Sequence, residues 1–97
     1  PVRTEVMVYR IVQELLHNSL KHAQAHRIEI VLHRDTQPAQ LHLRYTDDGR
    51  GLAPELWHQP DSFGLQSIQA RIRGLRGSWE LPPTSSGFSI VITIPIS

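Results

Sequence analysis

Four polar side chains in the first quarter of the chain share one stripe if that segment is helical. At 100° per residue, Asn18 lies about 40° around the helix from Glu14, Lys21 about 20° to the other side and His22 about 80° away. The apolar centre near Val8, Val12 and Leu15 is only about 100–160° from them, so the stripe borders a buried seam and suits the wall of a site. A solvated helix face carrying a Glu-to-Asn i,i+4 pair has the same spacing. A second cluster, Asp47-Asp48-Gly49-Arg50-Gly51, directly follows an alternating apolar segment. Its glycines let the backbone approach a flat ligand or a phosphate, although Asp-Gly also builds plain surface turns. Gly64 stands at the start of an amphipathic segment, where free backbone N–H groups and the positive end of a helix dipole favour an anion. A glycine used simply to enter a helix fits that position too. Arg71, Arg73 and Arg76 read as a solvated cationic face, with a mild bias toward phosphate or an acidic partner. His17, His22 and His26 are spaced five and four apart, without the acidic partners a metal site needs.

Placing these groups requires elements that the apolar spacing predicts. Val8, Ile11, Val12, Leu15 and Leu16 specify a helix from Thr4, a candidate N-cap, to about His22. Ile28, Ile30 and Leu32 alternate within residues 27–33, and Leu41, Leu43 and Tyr45 within residues 41–45. The turn chemistry of Asp35-Thr36-Gln37-Pro38 makes the pair an antiparallel hairpin with one face on the core. Residues 52 to 63 carry Pro54 and Pro60 without a period, and form a connection long enough to act as a flap. Leu65, Ile68, Ile72 and Leu75 specify a second helix that Gly77 ends. Residues 78–81 and 88–94 form a second hairpin, with Phe88, Ile90, Ile92 and Ile94 on one face. The order α-β-β-α-β-β predicts an α+β two-layer sandwich, both helices on one face of a mixed or antiparallel sheet.

Ninety-seven residues make one domain, residues 1–97. A start at Pro1 without Met, directly in a helical pattern, suggests a piece of a longer chain. A formal net charge of +1 gives little support to generic nucleic-acid binding, and the isolated domain is expected to be a monomer. The absence of cysteine excludes disulfides, thiolate zinc sites and cysteine nucleophiles, and suits the reducing cytoplasm. No apolar run reaches the roughly 18 residues that span a bilayer.

The clusters occur together and in one order. Residues 10–23, Arg-Ile-Val-Gln-Glu-Leu-Leu-His-Asn-Ser-Leu-Lys-His-Ala, closely resemble the N box of bacterial sensor histidine kinases. Asp47-Asp48-Gly49-Arg50-Gly51-Leu52 is similar to their first glycine box. Phe63-Gly64-Leu65, with Ile68 and Arg71 and running on to Leu75 and Gly77, is similar to the second. Gly87 and the alternating strand ending at Pro95 resemble the family's final Gly-Thr strand. The resemblance covers nearly the whole chain and points to the GHKL ATPase group, in its short-lid branch. Those kinases pair with helix-turn-helix response regulators of the nitrate and sugar-phosphate type.

This resemblance implies an ATP-binding catalytic domain that donates the γ-phosphoryl of Mg-ATP to a histidine on a separate dimerisation domain. The helix-turn-helix regulator would be reached indirectly, and no nucleic acid directly. It implies that Asn18 holds Mg²⁺ through the ATP phosphates, that Glu14 is the general base or polarising group, and that Asp47 accepts the adenine amine. Gly49 and Gly51 would shape the pocket floor and residues 52 to 63 the ATP lid. Backbone N–H groups of Gly64 and Leu65 would meet the phosphates, with Lys21 and His22 on the phosphate side. The parent protein would sit in the bacterial inner membrane with this domain in the cytoplasm. Ser62, Ser67, Ile68, Ala70 and Phe88 depart from the family's usual Gly, Gly, Met, Glu and Thr. Ser62, Ser67, Ala70 and Phe88 favour the alternative of a nucleotide-responsive interaction module, or pseudokinase, without phosphoryl transfer.

Overall fold

A computed structural model of the chain describes residues 2–21, 25–49, 65–82 and 87–96. Helix α1 spans Val2–Lys21, strands β1 Ile28–Thr36 and β2 Ala39–Asp47, helix α2 Leu65–Gly74, and strands β3 Ser78–Glu80 and β4 Phe88–Pro95. Among the described residues the sheet order is β1-β2-β4-β3 and every pairing is antiparallel. Among the described residues no helix is long and apolar enough to cross a membrane.

Three boundaries differ from the sequence expectation. Helix α1 starts at Val2, which puts Thr4 in the first turn instead of at the cap. The first hairpin keeps its ladder through Thr36 opposite Ala39, so Asp35 and Thr36 belong to the strand and the turn tightens to Gln37-Pro38. At the end of α2 the left-handed residue is Arg76, φ 59°, and not Gly77. Arg76 donates its N–H to the Arg73 carbonyl and Gly77 to the Ile72 carbonyl, a Schellman closure that satisfies the last carbonyls of the helix. Gly77 is required for a different reason. A Cβ there would lie 2.7 Å from the Thr93 carbonyl oxygen, so its lack of a side chain lets the helix exit press against β4.

The core forms where helical and strand periods meet. Val8, Ile11 and Leu15 of α1 and Ile68 and Ile72 of α2 pack on Leu43 and Tyr45 of β2 and on Ile90, Ile92 and Ile94 of β4. Both helices therefore cover one face, as predicted, and each fully buried Ile or Leu contributes about 1.5–3 kcal/mol of transfer free energy. Val12, Leu16, Leu41, Leu75 and Trp79 close the margins. Strand β1 is the exception. Ile30 and Leu32 share the helix-side face, because they stand opposite Tyr45 and Leu43, yet they stay 43% and 58% exposed. The helices cover β2 and β4 and leave the edge strand uncovered.

Candidate functional site

Strand β2 ends at Asp47, which faces the helices in register with Tyr45 and Leu43 and is 4% exposed. A carboxylate this buried needs donors. Its Oδ2 accepts from the Ser19 hydroxyl at 2.6 Å, and its Oδ1 accepts from the backbone N–H groups of Gly49 at 2.9 Å and Phe88 at 3.2 Å. A carboxylate offers about four acceptor sites. Among the described residues three are used, which leaves Asp47 able to accept one further N–H. Ser19 also meets the Tyr45 hydroxyl, and Tyr45 donates to the Leu15 carbonyl at 3.0 Å. Burial pushes the Tyr45 phenol up from its usual range, and the nearby Asp47 charge adds to the rise.

The two adjacent aspartates divide their work. Asp48 is exposed, and its Oδ1 accepts from the N–H groups of His26 and Arg27 at 2.8 Å each, while its own N–H donates to the Arg27 carbonyl. These backbone donors, Arg27 first and then His26, hold the Asp48 carboxyl below the ordinary aspartate value. Asp48 thus ties the end of β2 to the entrance of β1, and Asp47 turns inward.

Gly87 closes the site from the other side. Its φ is +79°, and a Cβ there would fall 1.9 Å from the Asp47 carbonyl oxygen, so only a residue without a side chain lets β4 begin against the end of β2.

Glu14 and Asn18 occupy the stripe beside Leu15 and Ser19, and both are half-buried. The Asn18 Oδ1 is buried and has no hydrogen-bond partner among the described residues. An orphaned carbonyl oxygen is an uncompensated cost unless something binds it, and it is the hard ligand that Mg²⁺ prefers. Among the described residues no three His, Cys, Asp or Glu gather as a metal site. A cation here would rest on Asn18 and on its ligand's own oxygens.

The structure thus joins Asp47 and Gly49 to the helix that carries Glu14 and Asn18. Lys21 is the last residue of α1 and Leu65 the first of α2, with their backbones alone described. His22, Gly51, Gly64 and the lid segment 52–63 lie outside the described residues. Ser19 and Tyr45 were missed by sequence reasoning. The available signal was a hydroxyl at position 19, four residues after Leu15 and eight after Ile11, on the helix face that is otherwise core. Arg71, assigned to a solvated cationic face, is half-buried with its Nη1 unpartnered among the described residues, whereas Arg73 and Arg76 are exposed.

Residues 3–97 match the family of histidine kinase-, DNA gyrase B-, and HSP90-like ATPases. The chain is 36% identical over 97 residues to the sensor histidine kinase YdfH of Bacillus subtilis, covering 98% of this chain and 24% of that protein. It is 30% identical to the signal transduction histidine-protein kinase/phosphatase DegS of Brevibacillus brevis, covering all of this chain and 25% of the relative. It therefore spans about a quarter of the length of these curated relatives. Among solved structures, the blue-light activated histidine kinase EL346 of Erythrobacter litoralis superposes with a TM-score of 0.81 at 26% identity, over 98% of this chain and 31% of the other.

Proposed function

Because the chain belongs to the histidine kinase-, DNA gyrase B-, and HSP90-like ATPase family, we propose that it binds Mg-ATP and supplies the γ-phosphoryl group to a histidine on a separate dimerisation domain in two-component signalling. The observation that carries this reading is the buried Asp47 carboxylate, held by Ser19, Gly49 and Phe88 with one acceptor site left over among the described residues. Adenine presents an N6 amine that such a carboxylate accepts. Guanine presents a carbonyl at the same place, which it repels.

Asn18 would hold Mg²⁺ through its Oδ1, and the ion would supply charge screening for the ATP phosphates. Glu14, one turn before Asn18 on the same stripe, polarises the attacking imidazole or takes its proton as a P–N bond forms and the bond to the ADP oxygen breaks. In this reading Gly49 and Gly51 would form the pocket floor, residues 52 to 63 the lid and Gly64 and Leu65 the backbone donors to the phosphates, with Lys21 and His22 on the phosphate side. Phosphoryl transfer asks mainly for positioning and charge neutralisation, which this set of groups suits. In the intact protein the phosphoryl group passes on to an aspartate of a helix-turn-helix regulator, from a cytoplasmic domain of a membrane-anchored parent. Two departures from the family pattern do not touch the described contacts: Phe88 serves Asp47 through its backbone, and Ala70 is exposed.

The test is calorimetry with Mg-ATP and Mg-GTP. Wild type is expected to prefer ATP, and Asp47→Asn to lose about 5- to 150-fold in ATP affinity, the 1–3 kcal/mol of a charged acceptor. Equal affinity for the two nucleotides would overturn the assignment.

A further inference from the structure

We propose that Arg71 binds an anionic oxygen of the nucleotide's polyphosphate from the α2 wall of the site, opposite Asn18. The inference rests on the ATP reading above and adds to it a residue of the second helix. Two buried side-chain atoms lack a partner among the described residues, and they are an acceptor, Asn18 Oδ1, and a donor, Arg71 Nη1. No carboxylate among the described residues pairs with Arg71. A guanidinium nitrogen shut off from water without an acceptor is a cost that an anion removes.

The fold turns these two residues toward one seam. Helix α1 runs from Val8, beside Leu41, to Ser19 on Asp47, parallel to β2. Helix α2 packs against α1 and runs the other way, because its exit at Ile72 and Gly77 lies against Thr93 and Ile94, and Ile94 pairs with Leu41. Glu5 and Tyr9 of α1 border a groove with Leu32 and Arg34 of β1. The opposite flank of α1, with Glu14 and Asn18, therefore turns toward β4 and α2. Asn18 follows the buried Leu15 by three residues, and Arg71 follows the buried Ile68 by three. Each thus stands about 60° to the same hand of its helix's core line. Antiparallel helices on one face of a sheet oppose like-handed flanks, so the flank of α2 that carries Arg71 faces the flank of α1 that carries Asn18. Helical side chains lean toward their own N-terminus, and from antiparallel helices Asn18 and the long Arg71 lean toward each other. One offers an acceptor and the other a charged donor, the two halves that a metal-bound phosphate needs.

Calorimetry separates phosphate recognition from base recognition. Arg71→Met is expected to lose about 10- to 100-fold in ATP affinity, in EDTA as well as with Mg²⁺, and to bind adenosine within about twofold of wild type. Arg71→Lys, which keeps the charge without the planar fork, should fall between the two. Asp47→Asn should instead weaken ATP and adenosine alike. Without nucleotide, Arg71→Met is expected to keep or raise the urea midpoint, because methionine fills the space without an unpaired buried charge. A lower midpoint, complete unfolding included, would show the guanidinium already partnered in the free fold and would overturn the proposal. So would an Arg71→Met protein that binds ATP as wild type does, or one that loses ATP and adenosine equally, and in the first of these cases the reading of Asp47 stands. A wild type that binds neither ATP nor adenosine would overturn both.

Discussion

Ser19 and Tyr45 share two protons among three contacts. Tyr45 donates to the Leu15 carbonyl and Ser19 donates to Asp47, so the Ser19–Tyr45 contact has no proton of its own unless the phenol divides its donation. With its phenol pushed up by burial, Tyr45 stays a neutral donor through the neutral range. Ser19→Ala removes one donor from a buried carboxylate, and is expected to cost about 1–3 kcal/mol in urea denaturation. It should also weaken Mg-ATP binding by calorimetry, because Asp47 loses the contact that fixes its orientation. Glu14 and Asn18 should separate binding from chemistry. Asn18→Asp is expected to disturb Mg²⁺-dependent binding. Glu14→Gln should keep ATP affinity within a few fold and lose about 10²–10⁴ in transfer rate to a competent histidine domain, followed with labelled phosphate. A Glu14→Gln protein that transfers at the wild-type rate removes the role given to Glu14 without touching the role of Asp47.

The exit of α2 shows how an element can be built against local preference. Arg76 takes a left-handed conformation that glycine adopts freely, while the glycine beside it is fixed by its approach to the Thr93 carbonyl. Exchanging the strained residue alone is therefore favourable. Arg76→Gly is expected to raise stability by about 0.5–1 kcal/mol, read as a higher thermal midpoint, since the exposed arginine gives up no buried contact. Gly77→Ala should do the reverse, through the clash with β4. At this scale the periodicity of the sequence was a good guide: both helices, both hairpins and their order are where the apolar spacing put them. The Thr4 cap and the glycine stop were misread because a favoured residue type near an element's end says little about which neighbour takes the special backbone conformation.

Across the whole molecule, two exposed carboxylates stitch strands together and make stability depend on pH. Asp48 is lowered by the N–H groups of Arg27 and His26, and Asp35 by its hydrogen bonds to His33 on its own strand and to His42 across the β1–β2 hairpin, each from the ordinary 3.8. A carboxyl lowered by folding stabilises the native state above its unfolded value, and that contribution disappears as the pH falls through the lower, folded value. The urea midpoint should therefore be level down to about pH 5 and fall below it. Asp48→Asn should lower the plateau and flatten the acid limb. An acid limb as steep as that of wild type would show that Asp48 is not its source. What the sequence determined by itself was local: helical and strand periods, the polar stripe through Glu14 and Asn18, and the Asp-Asp-Gly run at a strand end. These follow from 3.6- and 2-residue repeats, which the chain carries wherever it packs. What the tertiary structure alone decided was which of Asp47 and Asp48 turns inward, that Ser19 and Tyr45 secure it, that Gly87 must be bare, and that Ile30 and Leu32 stay uncovered. Those outcomes depend on which layers meet. Ser19 lies 28 residues from Asp47 and Phe88 lies 41 from it, separations across which no periodic pattern specifies a contact, so only the packing of two helices over β2 and β4 brings them together.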